Sequence, residues 1–339
     1  MNICAITVAY NNPNELEDLL KSLIVIDKQL LRGLIIIDNS NESYIKLNNQ
    51  IYQAFEQQFQ KSKYIVTDSN LGSSGGFELG MQLAGSLNFD WVWLLDQDGI
   101  VLPNSLETLS VHSGRCRILC PSVVDISNIE KIITEFRCKK NLLGGVYPIP
   151  EAMYKLPQVP IDYFGTHGTL IPMSIIGSIG YYDKDHFFAG FEDWDFAKRA
   201  KSNNYLIELI PNSKVAHPDK WRSSNHWYNG IKKKLSRYLP LHLGTIDTNL
   251  VYDERKIRSI LGQNYFGCFH LNCIQYVLSL TYSTGICLFS AIVSRTPENI
   301  KTNFKLAELF SKYKIQLIRT NYQKKINFNS IYHCIQEKK

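Results

Sequence analysis

No C-x-x-C pair occurs among the eight cysteines, which stand at positions 4, 116, 120, 138, 268, 273, 287 and 334. Their spacing offers neither a zinc site nor a dithiol redox motif. A chain of 339 residues can build its core without a disulfide framework, so reduced thiols in a cytoplasmic protein are expected. No basic segment precedes Ile3, and no signal peptide is expected. No Gly-Lys-Ser/Thr closes a glycine-rich loop, which removes the P-loop nucleotide sites. No repeat recurs, and no segment joins low hydrophobicity to high charge, which excludes solenoids and disordered tails. A membrane-spanning helix needs about 20 predominantly apolar residues. Residues 277–293 (VLSLTYSTGICLFSAIV) come nearest, but they are short and rich in Ser and Thr.

Charge is present but unevenly placed. From Lys214 onward there are 20 Lys and Arg against 7 Asp and Glu, whereas residues 1–213 hold 17 against 24. The basic C-terminal part suggests a polyanionic partner, either anionic lipid or nucleic acid. No nucleic-acid recognition motif accompanies it, so nucleic acid is not expected. Residues 228–239 (YNGIKKKLSRYL) form a basic helical candidate, and residues 259–294 contain no Asp, Glu, Lys or Arg. Helices packed on the rest of the chain, or lying at a membrane interface, fit this pattern. In the second case Lys232, Lys233, Lys234 and Arg237 meet anionic headgroups. A solvated basic face fits it equally.

Apolar β-branched runs at residues 3–9 (ICAITVA), 34–38 (LIIID), 64–67 (YIVT) and 91–95 (WVWLL) read as strands. Between them lie helical stretches. The first opens at Pro13, near the first helical position, and carries Leu16, Leu19, Leu20 and Leu23 on one face. The second runs to about Gln60, and the third enters on Gly72. Alternating strands and helices imply a mostly parallel sheet flanked by helices, whose ligands bind beyond the carboxyl ends of the strands. The polar clusters Tyr10-Asn11, Asp38-Asn39-Ser40, Asp68-Ser69-Asn70 and Asp96-Gln97-Asp98 fall at those ends. Residues 115–160 show no clear period, and residues 161–220 resume an α/β pattern.

Asp96 and Asp98, one residue apart after an apolar strand, can reach a hard divalent cation and the phosphate oxygens it bridges. A solvated turn is the competing reading. Glu192-Asp193-Trp194-Asp195 opens a helix, where acids are favoured by the macrodipole alone. A carboxylate there can also take a proton from an attacking hydroxyl. His217, in KVAHPDK, is a metal-ligand candidate beside the two aspartates or an ordinary packed histidine. The glycine-rich segment from Asn70 through Gly72 and Gly76 to Gly80 either lets backbone approach a donor or lets a helix pack closely.

Taken in order, TVAYNNPNELEDLLKSL, DNS, NLGSSGGFELGM, WLLDQDG, GTLIP, GYYDKDHFFAGFEDWDFAKRA and VAHP resemble the family 2 glycosyltransferases with a GT-A fold. The bacterial enzymes of O-antigen, capsule and cell-wall polysaccharide synthesis are the most similar. The DQD block resembles rhamnosyltransferases, and NLGSSGGF resembles galactofuranosyltransferases more. The resemblance implies a Rossmann-like α/β catalytic domain over residues 1–225. Its nucleotide-binding half is 1–110 and its acceptor and catalytic half is 111–225. A basic, mostly helical appendage follows over 226–339. It implies Thr7, Ala9 and Tyr10 around the base, Asp38 near base or ribose, and Asn70, Gly72, Gly76 and Gln97 at the donor. Asp96, Asp98 and His217 would hold Mn²⁺ or Mg²⁺ against the diphosphate. Asp193 would be the base, and Gly168, Thr169, Glu192 and Trp194 would face sugar or acceptor. The tryptophans of some members' acceptor loops are missing from 165–169.

The implied activity is inverting transfer of a hexose, galactofuranose or rhamnose first, from a UDP or dTDP sugar. The implied acceptor is a lipid-linked glycan at the inner face of the cell membrane. Glucosyl or galactosyl transfer by the same route is the alternative, as is a non-catalytic nucleotide- or carbohydrate-binding module. A homo-oligomer is left open.

Overall fold

The four apolar runs of the first hundred residues become neighbouring strands: β1 (Ile3–Ala9), β2 (Leu31–Asp38), β3 (Lys61–Val66) and β4 (Trp91–Asp96). The structure, a computed structural model, describes residues 1–141, 145–219 and ten helical residues between 262 and 308. Cα packing divides the chain into two units. The first comprises Met1–Lys139, Pro148–Lys184 and Asp193–Lys220; the second comprises Lys140–Tyr147, Asp185–Glu192 and Trp221–Lys339. Within the second unit, the Phe191 and Phe266 rings lie 5.7 Å apart. The basic stretch 228–239, with Lys232–Lys234 and Arg237, and most of the uncharged run 259–294 lie outside the described residues. Among the described residues no helix is long and apolar enough to cross a membrane.

In the first unit, β1 pairs in parallel with β2 and β4, and β2 with β3, giving the order β3-β2-β1-β4. The chain works outward from β1 to β3 and then returns to the other side of β1. A topological switch point therefore lies between β1 and β4, and the crevice beyond it is where such sheets bind ligands. Register aligns the strand ends: Ala9 lies opposite Asp38, and Val8 opposite Asp96.

Helix α1 (Pro13–Leu23) buries Leu16, Leu19, Leu20 and Leu23 in one cluster with Ala5 and Ala9 of β1. Helix α2 (Glu42–Phe55) follows β2, and α3 (Gly72–Ser86) covers the other face of β1. There a Cβ at Gly76 would sit 2.7 Å from Val8 Cγ1, and one at Gly80 would sit 2.4 Å from Ile6 Cγ2. Glycines four residues apart share a helix face. Their missing side chains let α3 lie directly on the strand.

The second half adds β5 (Ile100–Val101), α4 (Ser105–Val111), β6 (Arg117–Asp125), β7 (Asn128–Ile132), β8 (Arg137–Lys140), β9 (Val146–Pro148), β10 (Val159–Pro160), β11 (Tyr163–Phe164), β12 (Thr169–Pro172), α5 (Met173–Ile179), α6 (Glu192–Ser202) and β13 (Leu206–His217). The large sheet runs β10-β13-β6-β12-β4-β1-β2-β3, with β5 on β13 and β7 on β6. Its long pairings, including β6 with β13, are parallel, and the antiparallel ones are short. Helices flank it, as the alternating pattern predicts. The stretch without a period holds β6 to β10 together with single helical turns. Apart from the nine-residue β6, these strands have two to five residues, shorter than the window a period needs. Pro121 interrupts β6, and β13 bulges opposite it between Ile210 and Lys214. A proline has no N–H for the ladder, so the partner strand loops out there.

Cys4, Cys116, Cys120 and Cys138 are free thiols. Burial pushes Cys120 up to about 11 and Cys138 up to about 12, so both stay protonated and serve packing.

Candidate metal and donor site

β4 ends on Asp96, and the Gly99 N–H donates to the Asp96 carbonyl at 3.0 Å to close the turn. The two aspartates thus flank Gln97 at the switch point. Pairing of β5 with β13 sets Ala216 opposite Ile100, which brings His217 to this turn. β12 runs antiparallel to β4 with Thr169 opposite Leu94, which brings the preceding loop and His167 to the same edge. His217 Nε2 lies 3.0 Å from Asp98 Oδ1, and His167 Nε2 lies 3.5 Å from Asp96 Oδ2. Ligand atoms of Asp96, His167 and His217 all fall within 4.8 Å of one another. The imidazoles stand edge to face, with centroids 4.6 Å apart. Phe136 walls both, 3.8 Å from the His167 ring and 5.5 Å from the His217 ring.

The two histidines are shifted in opposite directions. Burial, together with the charges of His217 and Arg137, drives His167 well below the ordinary imidazole range, so it presents a neutral ring. Burial acts the same way on His217. Its hydrogen bond to Asp98 and the charges of Asp96 and Asp98 outweigh that and raise it. The His217 ring is oriented by Nδ1–H donating to the Pro218 carbonyl at 2.9 Å, which turns Nε2 toward Asp98. Two carboxylates and two imidazoles, partly buried and converging, form a donor set that fits a divalent ion such as Mn²⁺.

The other residues expected at the donor divide sharply by exposure. Tyr10 is 44% exposed at the end of β1, whereas Thr7 and Ala9 are buried within the strand and present no surface to a base. Asp38 is fully buried. Its carboxylate accepts from the Ser40 N–H and Asn48 Nδ2, each at 2.8 Å, and from the Tyr64 hydroxyl, so it shapes the loop after β2. The Gln97 amide is likewise engaged: it accepts from the Tyr10 N–H at 2.5 Å and donates to the Asn12 carbonyl. Asn70 is exposed and accepts from the Gly72 N–H at 2.8 Å; Gly72 takes φ +70°, a conformation that favours glycine. Gly76 is occluded by Val8, so close packing, not donor approach, explains it.

On the acceptor side, Gly168 and Thr169 are buried. Gly168 has φ +73° and no room for a side chain beside Val215 and Pro121, and its carbonyl accepts from Trp93 Nε1 at 2.8 Å. The Thr169 hydroxyl donates to the Gly165 carbonyl at 3.1 Å. These two residues build the loop, and His167 is the side chain the loop presents. On α6, Asp195 is buried in an ion pair with Arg199 at 2.8 Å, and Glu192 is buried. Asp193 is half-buried and accepts from the Trp194 N–H at 2.8 Å. Trp194 stacks on Tyr163 at 4.7 Å, and the Asp193 charge reaches the Cys138 thiol, one residue along β8 from Arg137. The sheet edge thus gathers Asp96, Asp98, His167 and His217, and Asp193 belongs to the neighbouring Tyr163–Trp194 patch.

Sequence reasoning placed His167 only within the 165–169 loop that the resemblance sets against the donor sugar and did not single it out as a cation ligand; its signal is a histidine in a Gly-Thr-His-Gly turn at the start of the GTLIP strand. It also passed over Arg137, which no pattern marks.

The curled, mostly parallel sheet flanked by helices is similar in fold to the GT-A glycosyltransferases. A crystal structure of GalNAc-T7 with UDP, GalNAc and Mn2+ shares the fold: TM-score 0.58 at 15% identity, covering 94% of this chain and 57% of that one. Residues 4–135 match the model of Glycosyl transferase family 2. Galactofuranosyltransferase GlfT1 of Mycolicibacterium smegmatis is 33% identical over 116 residues, which is 33% of this chain and 36% of the relative. Galactofuranosyltransferase GlfT1 of Mycobacterium tuberculosis (strain CDC 1551 / Oshkosh) is 35% identical over 100 residues, 29% of this chain and 31% of the relative. The matched segment therefore spans about a third of the length of these curated relatives.

Proposed function

We propose that the chain is a metal-dependent, inverting glycosyltransferase that moves a hexose from a nucleotide-sugar donor to a hydroxyl of a growing, lipid-linked cell-surface polysaccharide. Galactofuranose is the first choice of sugar, because both curated relatives bear that name; rhamnose is the second. The observation that carries the reading is the convergence of Asp96, Asp98, His167 and His217 at the switch point.

A divalent ion held by these side chains supplies neutralisation of the diphosphate leaving group. The mixed nitrogen and oxygen set suits Mn²⁺ better than Mg²⁺, which prefers oxygen ligands. The acceptor oxygen forms its bond to the anomeric carbon as the bond to the diphosphate breaks on the opposite face. The acceptor proton passes to the Asp193 carboxylate. One displacement inverts the centre, and no second carboxylate is needed as nucleophile; the double displacement of retaining glycosidases does need one. Tyr10 and the Asn70–Gly72 turn, which have exposed surface at the strand ends, receive the nucleotide. Asp38 and Gln97 hold those loops in place. The basic region 226–339 serves an anionic membrane surface, where a lipid-linked acceptor resides.

The test is a donor screen with the full chain and Mn²⁺, using UDP-galactofuranose, dTDP-rhamnose, UDP-glucose and UDP-galactose. Nucleotide release and product configuration are followed with and without a chelator. The expected result is release from one donor, lost with chelator and restored by Mn²⁺, with inverted configuration. Donor binding without turnover on every sugar and acceptor would leave a binding module instead.

A further inference from the structure

Arg137 has no exposed surface at all. A guanidinium that deep is costly unless its N–H groups are answered. Here they are answered by backbone. Nε donates to the Pro121 carbonyl at 2.9 Å, Nη1 to Phe136 at 3.0 Å and Gly165 at 2.9 Å, and Nη2 to His167 at 2.7 Å. One side chain thus fastens the loop before β12 to β6, and two of its bonds end on Gly165 and on His167 itself, the residue that faces Asp96. The fit is tight on the other side too: a Cβ at Gly165 would lie 2.7 Å from His167 Nδ1. Phe136, next to Arg137 in the chain, packs on the His167 ring at 3.8 Å.

We propose that Arg137 is a positioning residue for the cation site: through the Gly165 and His167 carbonyls it holds the His167 imidazole toward Asp96, and so sets how tightly the site binds a divalent ion. This rests on the cation reading of the site. A planar fork with several fixed donors can do this, whereas the single ammonium of a lysine cannot reach all of these carbonyls. Outer-shell partners of metal ligands usually govern affinity in this way.

The experiment titrates Mn²⁺ alone into the full chain, without donor, and follows the free-ion paramagnetic resonance signal. Wild type, Arg137→Lys, Arg137→Gln, His167→Ala and the double variant Arg137→Lys/His167→Ala are compared, with near-ultraviolet circular dichroism as the check on folding. Both Arg137 variants are expected to fold and to bind Mn²⁺ about 10–100-fold more weakly. The double variant is expected to bind no more weakly than His167→Ala, because Arg137 acts through that ring. Folded Arg137 variants with wild-type affinity overturn the proposal, and so does a double variant whose losses add in full. If neither Arg137 variant folds, the residue belongs to the fold and the proposal also falls. A wild-type chain that binds no Mn²⁺ refutes the metal-dependent function itself, an outcome distinct from failure at Arg137 alone.

Discussion

Three acids share the start of α6, and their surroundings separate them. Asp195 is committed to Arg199, Glu192 is buried, and Asp193 retains exposed surface beside Trp194. Asp193→Asn is therefore expected to reduce turnover about 10²–10⁴-fold, the usual worth of a general base, while nucleotide-sugar binding measured by calorimetry is unchanged. Glu192→Gln with that same loss, beside an active Asp193→Asn, would reverse the assignment. At this scale the sequence was legible where local pattern and chemistry coincide. Asp96 and Asp98 follow an apolar strand, and His217 follows another, so their place at strand ends could be read directly. Exposure could not. Asp38 and Thr7 occupy positions of the same kind, yet the structure encloses both, because burial is decided by what packs above a strand end. His167 was not singled out as a cation ligand for a related reason: its place depends on Arg137, a lone arginine in a stretch without period.

Among the elements, α3 poses the sharpest question, since its glycines look like a ligand loop and behave as a packing surface. Gly80→Ala would force a Cβ to 2.4 Å from Ile6 Cγ2. Overpacking of this kind costs about 1–3 kcal/mol, against a helix-propensity gain of about 1 kcal/mol, so a lower urea midpoint is expected. Gly177→Ala in α5 is the control. A Cβ there meets nothing within 4 Å, and a gain of about 0.4–1 kcal/mol is expected. A Gly80→Ala protein as stable as wild type would show that α3 can lift from β1. The strands and helices of the first hundred residues were legible because each is long enough for its period to show and is bounded by Gly, Pro, Asn or Asp. The joined pieces from β6 to β10 were not. Their identity as strands comes from long-range pairing, such as Val215 with Val123.

For the molecule as a whole, acid is the informative perturbant. Asp125, at the end of β6, is held at about 2, first by its hydrogen bond from Lys131 and then by those from Ser127. Its folded value lies below the unfolded value of about 3.9, so the unfolded chain binds more protons between the two. Stability from this group is complete above about pH 4 and is lost as the pH falls toward 2. Lys131→Met should flatten that part of a urea-midpoint profile taken from pH 5 to pH 2; an unaltered profile would remove Asp125 as its source. Lys131 also pairs with Asp219 at 3.0 Å, two residues beyond His217, so the same ion cluster anchors the end of β13. One further consequence follows from the amide of Gln97, which is shared between Tyr10 and Asn12. Because that single side chain rides between the two aspartates, any shift of the carboxylate turn must drag the tyrosine loop with it. The aspartate turn and the Tyr10 loop are geared together, and a mutation at 97 would uncouple them without removing either.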